Sequence, residues 1–299
     1  MEQGMAESSG RLQMLYAVHG KTMKVSEETD IVAHCLTHVG KVRKDNQDAV
    51  RICDSADEFT SMAGHLYGIA DGMGGYSHGG VASLLALDTF FQTFYASNGI
   101  SPLQKLRVGI QNANLGVCQA AQRMGAGRMG TTLTAINVIG RNLFVGHVGD
   151  SRAYLIRQGK SECLTNDHTR VGELVRMHVL PADKVRTHSQ RSVLSKCLGV
   201  ELFIQPDVFK ISVQDDDMII LCTDGIWSVI EDEEFGEIRN EEDSPEQIGK
   251  RLIETALNRE SDDNLSVAVI HLRHLGVAEY SDAPQRPWTI SNLLRRIFK

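Results

Sequence analysis

The 299-residue sequence predicts an α+β protein, a four-layer α-β-β-α sandwich with two central antiparallel sheets flanked by helices. Three observations carry this expectation. Short apolar runs that read as strands outnumber helical stretches. The connections between them are mostly short or hairpin-like. Strict strand-helix alternation is absent, which sets aside a doubly wound parallel sheet.

Residues 1–28, rich in Met, Ser, Glu and Gly, read as a flexible leader with a short strand near Met14 to Val18. The folded domain is expected over residues 29–273. It opens with a strand over Ile31 to Leu36 and a polar loop ending at Asp48. Ala49 to Cys53 and Leu66 to Ala70 are again strand-like, the second running straight into Asp71. Val81, Leu84, Leu87, Phe91, Phe94 and Tyr95 then recur at helical spacing and mark a buried face. A second helix covers Pro102 to Arg123. Thr131 to Ile139, Leu143 to Val148 and Arg152 to Arg157 follow as an antiparallel meander.

A polar excursion containing Arg170, Arg176, Arg186 and Arg191 fills residues 165–200. Val208 to Val213 and Met218 to Thr223 read as a strand pair turning at Asp215-Asp216-Asp217. Ser244-Pro245-Glu246-Gln247 has the form of a capping box with proline at the first helical position. Its helix is expected to bury Ile248, Leu252, Ile253, Ala256 and Leu257. A last strand spans Leu265 to Leu272. Residues 274–287 read as a linker and residues 288–299 as a basic amphipathic helix with Ile290, Leu293, Leu294, Ile297 and Phe298 on one face. That helix either caps the domain, binds a partner or contacts a membrane surface.

The chemistry is concentrated in aspartates beside Gly or Asn: Asp48, Asp71, Asp224 and Asp263. Taken singly, an Asp-Gly pair is an ordinary turn, since both residues tolerate turn backbone. Most of these aspartates abut strands, and pairing of those strands gathers the carboxylates at one end of a sheet. Close carboxylates repel, so such a cluster persists around a cation. The glycines of Asp71-Gly72-Met73-Gly74-Gly75 let backbone approach a ligand, but neither a P-loop nor a dinucleotide fingerprint is present.

The chain resembles the metal-dependent Ser/Thr protein phosphatases of the type 2C class in their bacterial form. The matching blocks are Arg43-Lys44-Asp45-Asn46-Gln47-Asp48, Asp71-Gly72-Met73-Gly74-Gly75, Gly130-Thr131-Thr132, Gly149-Asp150-Ser151-Arg152, Leu164-Thr165-Asn166-Asp167-His168, Thr223-Asp224-Gly225 and Asp263-Asn264-Leu265-Ser266-Val267. The resemblance implies two Mn²⁺ or Mg²⁺ ions. Asp71 bridges them and the Gly72 carbonyl ligates one. Asp224 and Asp263 complete the other, while Asp48 holds water at the metals and helps orient the nucleophile. All-oxygen ligands suit such hard ions better than zinc. Arg43 is expected to grip the phosphate, because its planar fork matches two phosphate oxygens. No cysteine has the Cys-x5-Arg spacing of the cysteine-dependent phosphatases.

Some positions depart from the family pattern. Met73 stands where many eukaryotic relatives carry a histidine suggested as general acid, so the leaving oxygen takes its proton from a metal-bound water or another group; His38 and His78 are candidates, with a surface or structural role as the alternative for each. Gln47 replaces a frequent Glu. Asp150 is a candidate for a third, weaker ion, but Ser228 stands where a further acid often sits, so Asp150 is alternatively a simple partner of Arg152. These departures also keep open a second function, a weakly active or inactive phosphoprotein-binding regulator. The primary expectation is a cytoplasmic Ser/Thr phosphatase acting on the phosphorylated protein substrates of a Ser/Thr kinase.

Composition agrees. The net charge of −7, from 31 basic and 38 acidic side chains, argues against nucleic acid as a partner. The six cysteines show no close pairs and read as reduced core residues, which favours a cytosolic compartment.

Overall fold

The computed structural model describes residues 16–18, 21–23, 29–52, 64–74, 78–125, 129–242 and 244–276. The strands are β1 (Tyr16–Val18), β2 (Lys21–Met23), β3 (Asp30–His38), β4 (Asp48–Ile52), β5 (His65–Gly74), β6 (Met129–Thr131), β7 (Leu133–Ile139), β8 (Asn142–Val148), β9 (Arg152–Arg157), β10 (Lys160–Cys163), β11 (Asp207–Ser212), β12 (Asp217–Cys222) and β13 (Leu265–His274). The helices are α1 (His78–Ala96), α2 (Pro102–Met124), α3 (Arg170–Arg176), α4 (Asp224–Trp227), α5 (Asp232–Glu241) and α6 (Pro245–Asn258). The expected strand near Met14 to Val18 is β1, which pairs with β2. The proposed helix over 288–299, residues 277–287 of its linker and Cys53 lie outside the described residues, whereas the start expected for that linker belongs to the fold, with His274 ending β13 and Leu275 fully buried.

One sheet runs β10-β9-β12-β13-β3 and the other β11-β8-β7-β5-β4, with every named pair antiparallel. Strand periodicity builds the layers, because successive side chains point to opposite faces. In β12, Ile219 and Leu221 face the other sheet alongside Ile69, Ile136 and Val145. Met218, Ile220 and Cys222 face outward, onto Trp227, Phe235, Ile248 and Leu252 of α4–α6. Across the molecule, Leu66, Ala70, Leu133 and Ala135 meet α1 and α2 through Leu87, Phe90, Leu106 and Ile110. The four-layer sandwich is therefore the fold of this chain, and β12 is apolar from Met218 to Cys222 because both its faces are covered.

Several local expectations are corrected. β7 and β8 pair as expected, but β9 crosses to the other sheet and pairs with β12. Likewise β11 pairs with β8 rather than with β12. In each case a short turn carries the chain between sheets instead of closing a hairpin. The expected strand from Thr131 breaks at Thr132, whose side chain serves the site below.

On α1, Val81 and Leu84 are exposed, while Gly79, Ala82, Ser83 and Ala86 are buried. Small side chains bring the start of this helix against the sheet, so its buried face is offset from the large apolar residues. Ser244 makes no capping bond, although Pro245 does open α6. A capping box forms instead at α2, between Ser101 and Gln104. Leu257 is only partly buried. No helix among the described residues is long and apolar enough to cross a membrane.

Candidate active site

The predicted acids arrive at one place from both sheets rather than from one. Asp48 opens β4 and lies directly opposite Asp71 of β5. Asp150 follows β8. Asp224 begins α4 immediately after β12, and Asp263 precedes β13, which pairs with β12. A cavity of about 920 Å³ is lined by Asp71, Gly72, Asp150, Asp224, Asp263 and Arg43, among others. Asp48 is buried beneath it.

Backbone anchors fix the acids. The Asp71 N–H donates to Thr132 Oγ1 at 2.8 Å, and the Asp71 carbonyl accepts from Thr131 Oγ1 and from the Thr132 N–H, each at 2.9 Å. Gly72 donates to the Gln47 carbonyl at 3.1 Å. A Cβ at Gly72 would stand 2.0 Å from the Gly79 carbonyl oxygen, so only glycine fits this close approach. Asn264 ties the preceding loop down. Its Oδ1 accepts from the Gln47 N–H, and its Nδ2 donates to the carbonyls of Val39 and Asp45.

The carboxylates are electrostatically crowded. The Asp71 carboxyl lies within electrostatic reach of Asp48, Asp224, Asp150 and Asp263. Burial, followed by the neighbouring carboxylates, holds Asp71 and Asp150 well above the usual carboxylate range. Burial lifts Asp224 to about 7, with Asp263 and Asp48 adding to the rise. Asp48 is lifted to about 6, again chiefly by burial, although bonds from Ser266 and Thr223 oppose the shift. Asp224 Oδ1 is buried and has no hydrogen-bond partner. Dry acids with an unsatisfied oxygen are a donor set that a hard divalent cation satisfies.

The remaining candidates divide. Arg43 lies at the cavity, where its Nη2 donates to Asp263 Oδ2 at 2.7 Å and its Nε to the Asp262 carbonyl at 3.2 Å. No group of three His, Cys, Asp or Glu among the described residues is arranged to hold an ion as the side chains stand. Asp150 does not pair with Arg152. Its carbonyl accepts from Trp227 Nε1 at 2.8 Å, while Arg152 forks onto Asp167. His38 accepts the Gly40 N–H within its own turn, and neither His38 nor His78 lines the cavity. Arg186 is committed to the fold, donating to the Trp227 and Ile230 carbonyls and to Asp232.

Thr132, Thr223, Asn264 and Trp227 received no individual role from the sequence. Thr223 carried a weak signal, since it occupies the N-cap position before α4. Its hydroxyl is used on Asp48 instead of on the helix.

The sequence model of the family Protein phosphatase 2C matches residues 33–176 and 203–265, more than half of the chain. The chain belongs to the protein phosphatase 2C family. Protein phosphatase 2C members are metal-dependent Ser/Thr protein phosphatases, and this one is of the bacterial kind. It is 28% identical over 239 residues to the serine/threonine phosphatase Stp of Listeria welshimeri, spanning 78% of this chain and 93% of that protein. Its structure matches the serine/threonine phosphatase PstP of Mycobacterium tuberculosis with a TM-score of 0.73 and 31% identity, covering 82% of this chain and 99% of that one. The PstP catalytic domain in complex with two manganese ions matches with a TM-score of 0.69 and 30% identity, over 81% and 97% of the two chains.

Proposed function

We propose that this protein phosphatase 2C hydrolyses phosphoserine and phosphothreonine in cytoplasmic phosphoproteins at a centre of two Mn²⁺ or Mg²⁺ ions, without a covalent phosphoenzyme. The observation that carries this reading is the convergence of Asp48, Asp71, Asp150, Asp224 and Asp263, with Asp71 within electrostatic reach of the other four and one Asp224 oxygen unsatisfied. Asp71 and the Gly72 carbonyl would hold one ion, and Asp71, Asp224 and Asp263 the other, once Arg43 leaves Asp263. Asp150 offers a place for a weaker third. When bound, the ions supply charge stabilisation and lower the pKa of water at the phosphorus.

The protein's own groups do the rest. Arg43 turns its fork to two phosphate oxygens and positions the phosphorus for in-line attack. Asp48, buried beside the ions' site, orients the attacking water. The Ser or Thr oxygen departs and is protonated from water, since Met73 rather than a histidine faces the cavity. Cys197 also lines the cavity, but burial pushes its thiol up to about 11, so it stays protonated and is a poor nucleophile. The expected result is Mn²⁺-dependent release of phosphate from a phosphothreonine peptide, abolished by Asp71→Asn and Asp224→Asn. Full activity in excess chelator would contradict the reading.

A further inference from the structure

Among the described residues, three large apolar side chains within four positions are exposed at the edge of the catalytic cavity, which Val200 lines. Val200, Leu202 and Phe203 are 61, 59 and 84% exposed, although side chains of this size ordinarily contribute to a core. Isolated exposed apolar residues need no explanation, but a contiguous patch does.

This patch is held rigidly from beneath. Asn114 Nδ2 donates to the Glu201 carbonyl at 2.7 Å, and Gln111 Nε2 to the Leu202 carbonyl at 3.0 Å. Asn114 Oδ1 accepts the Gly199 N–H at 2.8 Å, and Gln111 Oε1 accepts the Ile204 N–H at 3.4 Å. Helix α2 thus fixes the backbone on both sides while the apolar side chains point away from the core. Ile204 alone turns inward, against the α1–α2 cluster.

The patch is also continuous with the reaction site. Val200 and Met73 both line the cavity. A Cβ placed on Gly130 would stand 3.5 Å from Met73 Cγ, 3.5 Å from Val200 Cγ2 and 2.9 Å from the Leu198 carbonyl oxygen. Gly130 is therefore the gap between these two side chains, and its missing side chain leaves an open apolar track. The track starts at Met73, two residues from Asp71, and reaches Val200, after which Leu202 and Phe203 follow in the chain with exposed side chains. Arg43 and Lys44 line the same cavity. The family match omits residues 177–202, so most of this ledge belongs to a stretch in which the chain follows no common pattern.

We propose that the Val200–Phe203 ledge is a specificity subsite, selecting phosphoproteins with a bulky apolar side chain within about four residues of the phosphorylated Ser or Thr. This rests on the phosphatase reading above and names its substrate class. The occupant is a substrate segment because the ledge is the continuation of the cavity that must admit the phosphorylated residue. Leu202 and Phe203 offer the substrate's apolar side chain an exposed apolar face, and Val200 joins it to the phosphate site.

The test uses the full chain with Mn²⁺ and phosphothreonine peptides of otherwise Ser/Gly sequence. A single Leu is placed in turn at each position from four before to four after the phosphorylated residue. Wild-type protein should favour Leu at one or two adjacent positions by about tenfold in kcat/KM, the range a single buried apolar side chain supports. In the double variant Leu202→Ser, Phe203→Ser that preference should fall to within twofold, with p-nitrophenyl phosphate turnover unchanged. Hydrolysis of all peptides at equal rates by wild-type protein would overturn the ledge alone. A preference that survives in the double variant would also overturn it. No hydrolysis of any peptide or of p-nitrophenyl phosphate would overturn the phosphatase reading, and the ledge with it.

Discussion

Thr223 Oγ1 donates a 2.9 Å hydrogen bond to Asp48 Oδ2, joining the end of β12 in one sheet to the start of β4 in the other. The same hydroxyl accepts the Ser266 N–H at 3.1 Å, so its donor direction is set by the strand after Asp263. Three of the chain segments that supply acids thus meet at one side chain. Thr223→Val keeps the shape and removes the bond. The expected cost is about 1–3 kcal/mol of stability, because a buried carboxylate loses a donor. The acidic limb of the rate profile should move to higher pH, since that bond opposes the rise at Asp48. A pH–rate profile with an unmoved acidic limb would show that Asp48 does not act in the reaction.

The crowded acids predict a direction of pH dependence. An aspartate in the unfolded chain titrates near 4, whereas Asp224 is lifted to about 7 in the fold. The folded state therefore holds the extra proton, and this contribution to stability is fully present at low pH and lost as pH rises through about 7. Chelator-treated protein should melt at progressively lower temperature from pH 6.5 to 8. Added Mn²⁺ should raise the melting temperature most at the alkaline end, because the ion competes with protons for the same oxygens. Thermal scans across that interval, with and without metal, check both signs.

Arg43 is expected to serve metal and phosphate at different times. Its bond to Asp263 is more than half exposed on the arginine side, so breaking it costs little. Arg43→Ala should weaken substrate by about 10–100-fold in kcat/KM, mostly through KM, from loss of charge-assisted bonds to phosphate. Mn²⁺ affinity should stay level or increase, since a competitor for Asp263 is removed. Calorimetry that shows Mn²⁺ binding lost in this variant would place Arg43 among the groups that build the metal site.

Arg152 anchors the second layer around the site. It forks onto Asp167 at 3.0 and 2.7 Å, and its guanidinium lies 3.7 Å from the Trp227 ring centre, over the residue that holds the Asp150 carbonyl. Both partners of the ion pair are under a tenth exposed. Arg152→Met leaves Asp167 buried without its partner and should cost about 3–5 kcal/mol in urea unfolding. A loss below about 1 kcal/mol would mean that the network adds little.

The layers and the acids were legible in the sequence, but the pairing was not. Met218 to Cys222 reads as a strand because every residue is apolar, and it proves to be covered on both faces. The partners of β9 and β11 were not legible, because a short turn can close a hairpin or cross between sheets, and local sequence does not distinguish them. The face of α1 was misjudged at Val81 and Leu84, since periodicity weights large apolar residues while the close contact is made by Gly79, Ala82 and Ala86. At the site, Asp71 and Asp224 stood out through their neighbouring glycines. Thr223, Thr132 and Trp227 act through bonds to residues distant in sequence, which spacing does not reveal.

The central claim is that these acids hold a pair of divalent ions through Asp71. Isothermal titration of chelator-stripped protein with Mn²⁺ tests it most directly. Two ions per chain are expected for the wild type, with both lost or greatly weakened in Asp71→Asn while the variant stays folded. One ion or none in the wild type, or an undiminished pair in Asp71→Asn, would contradict the account.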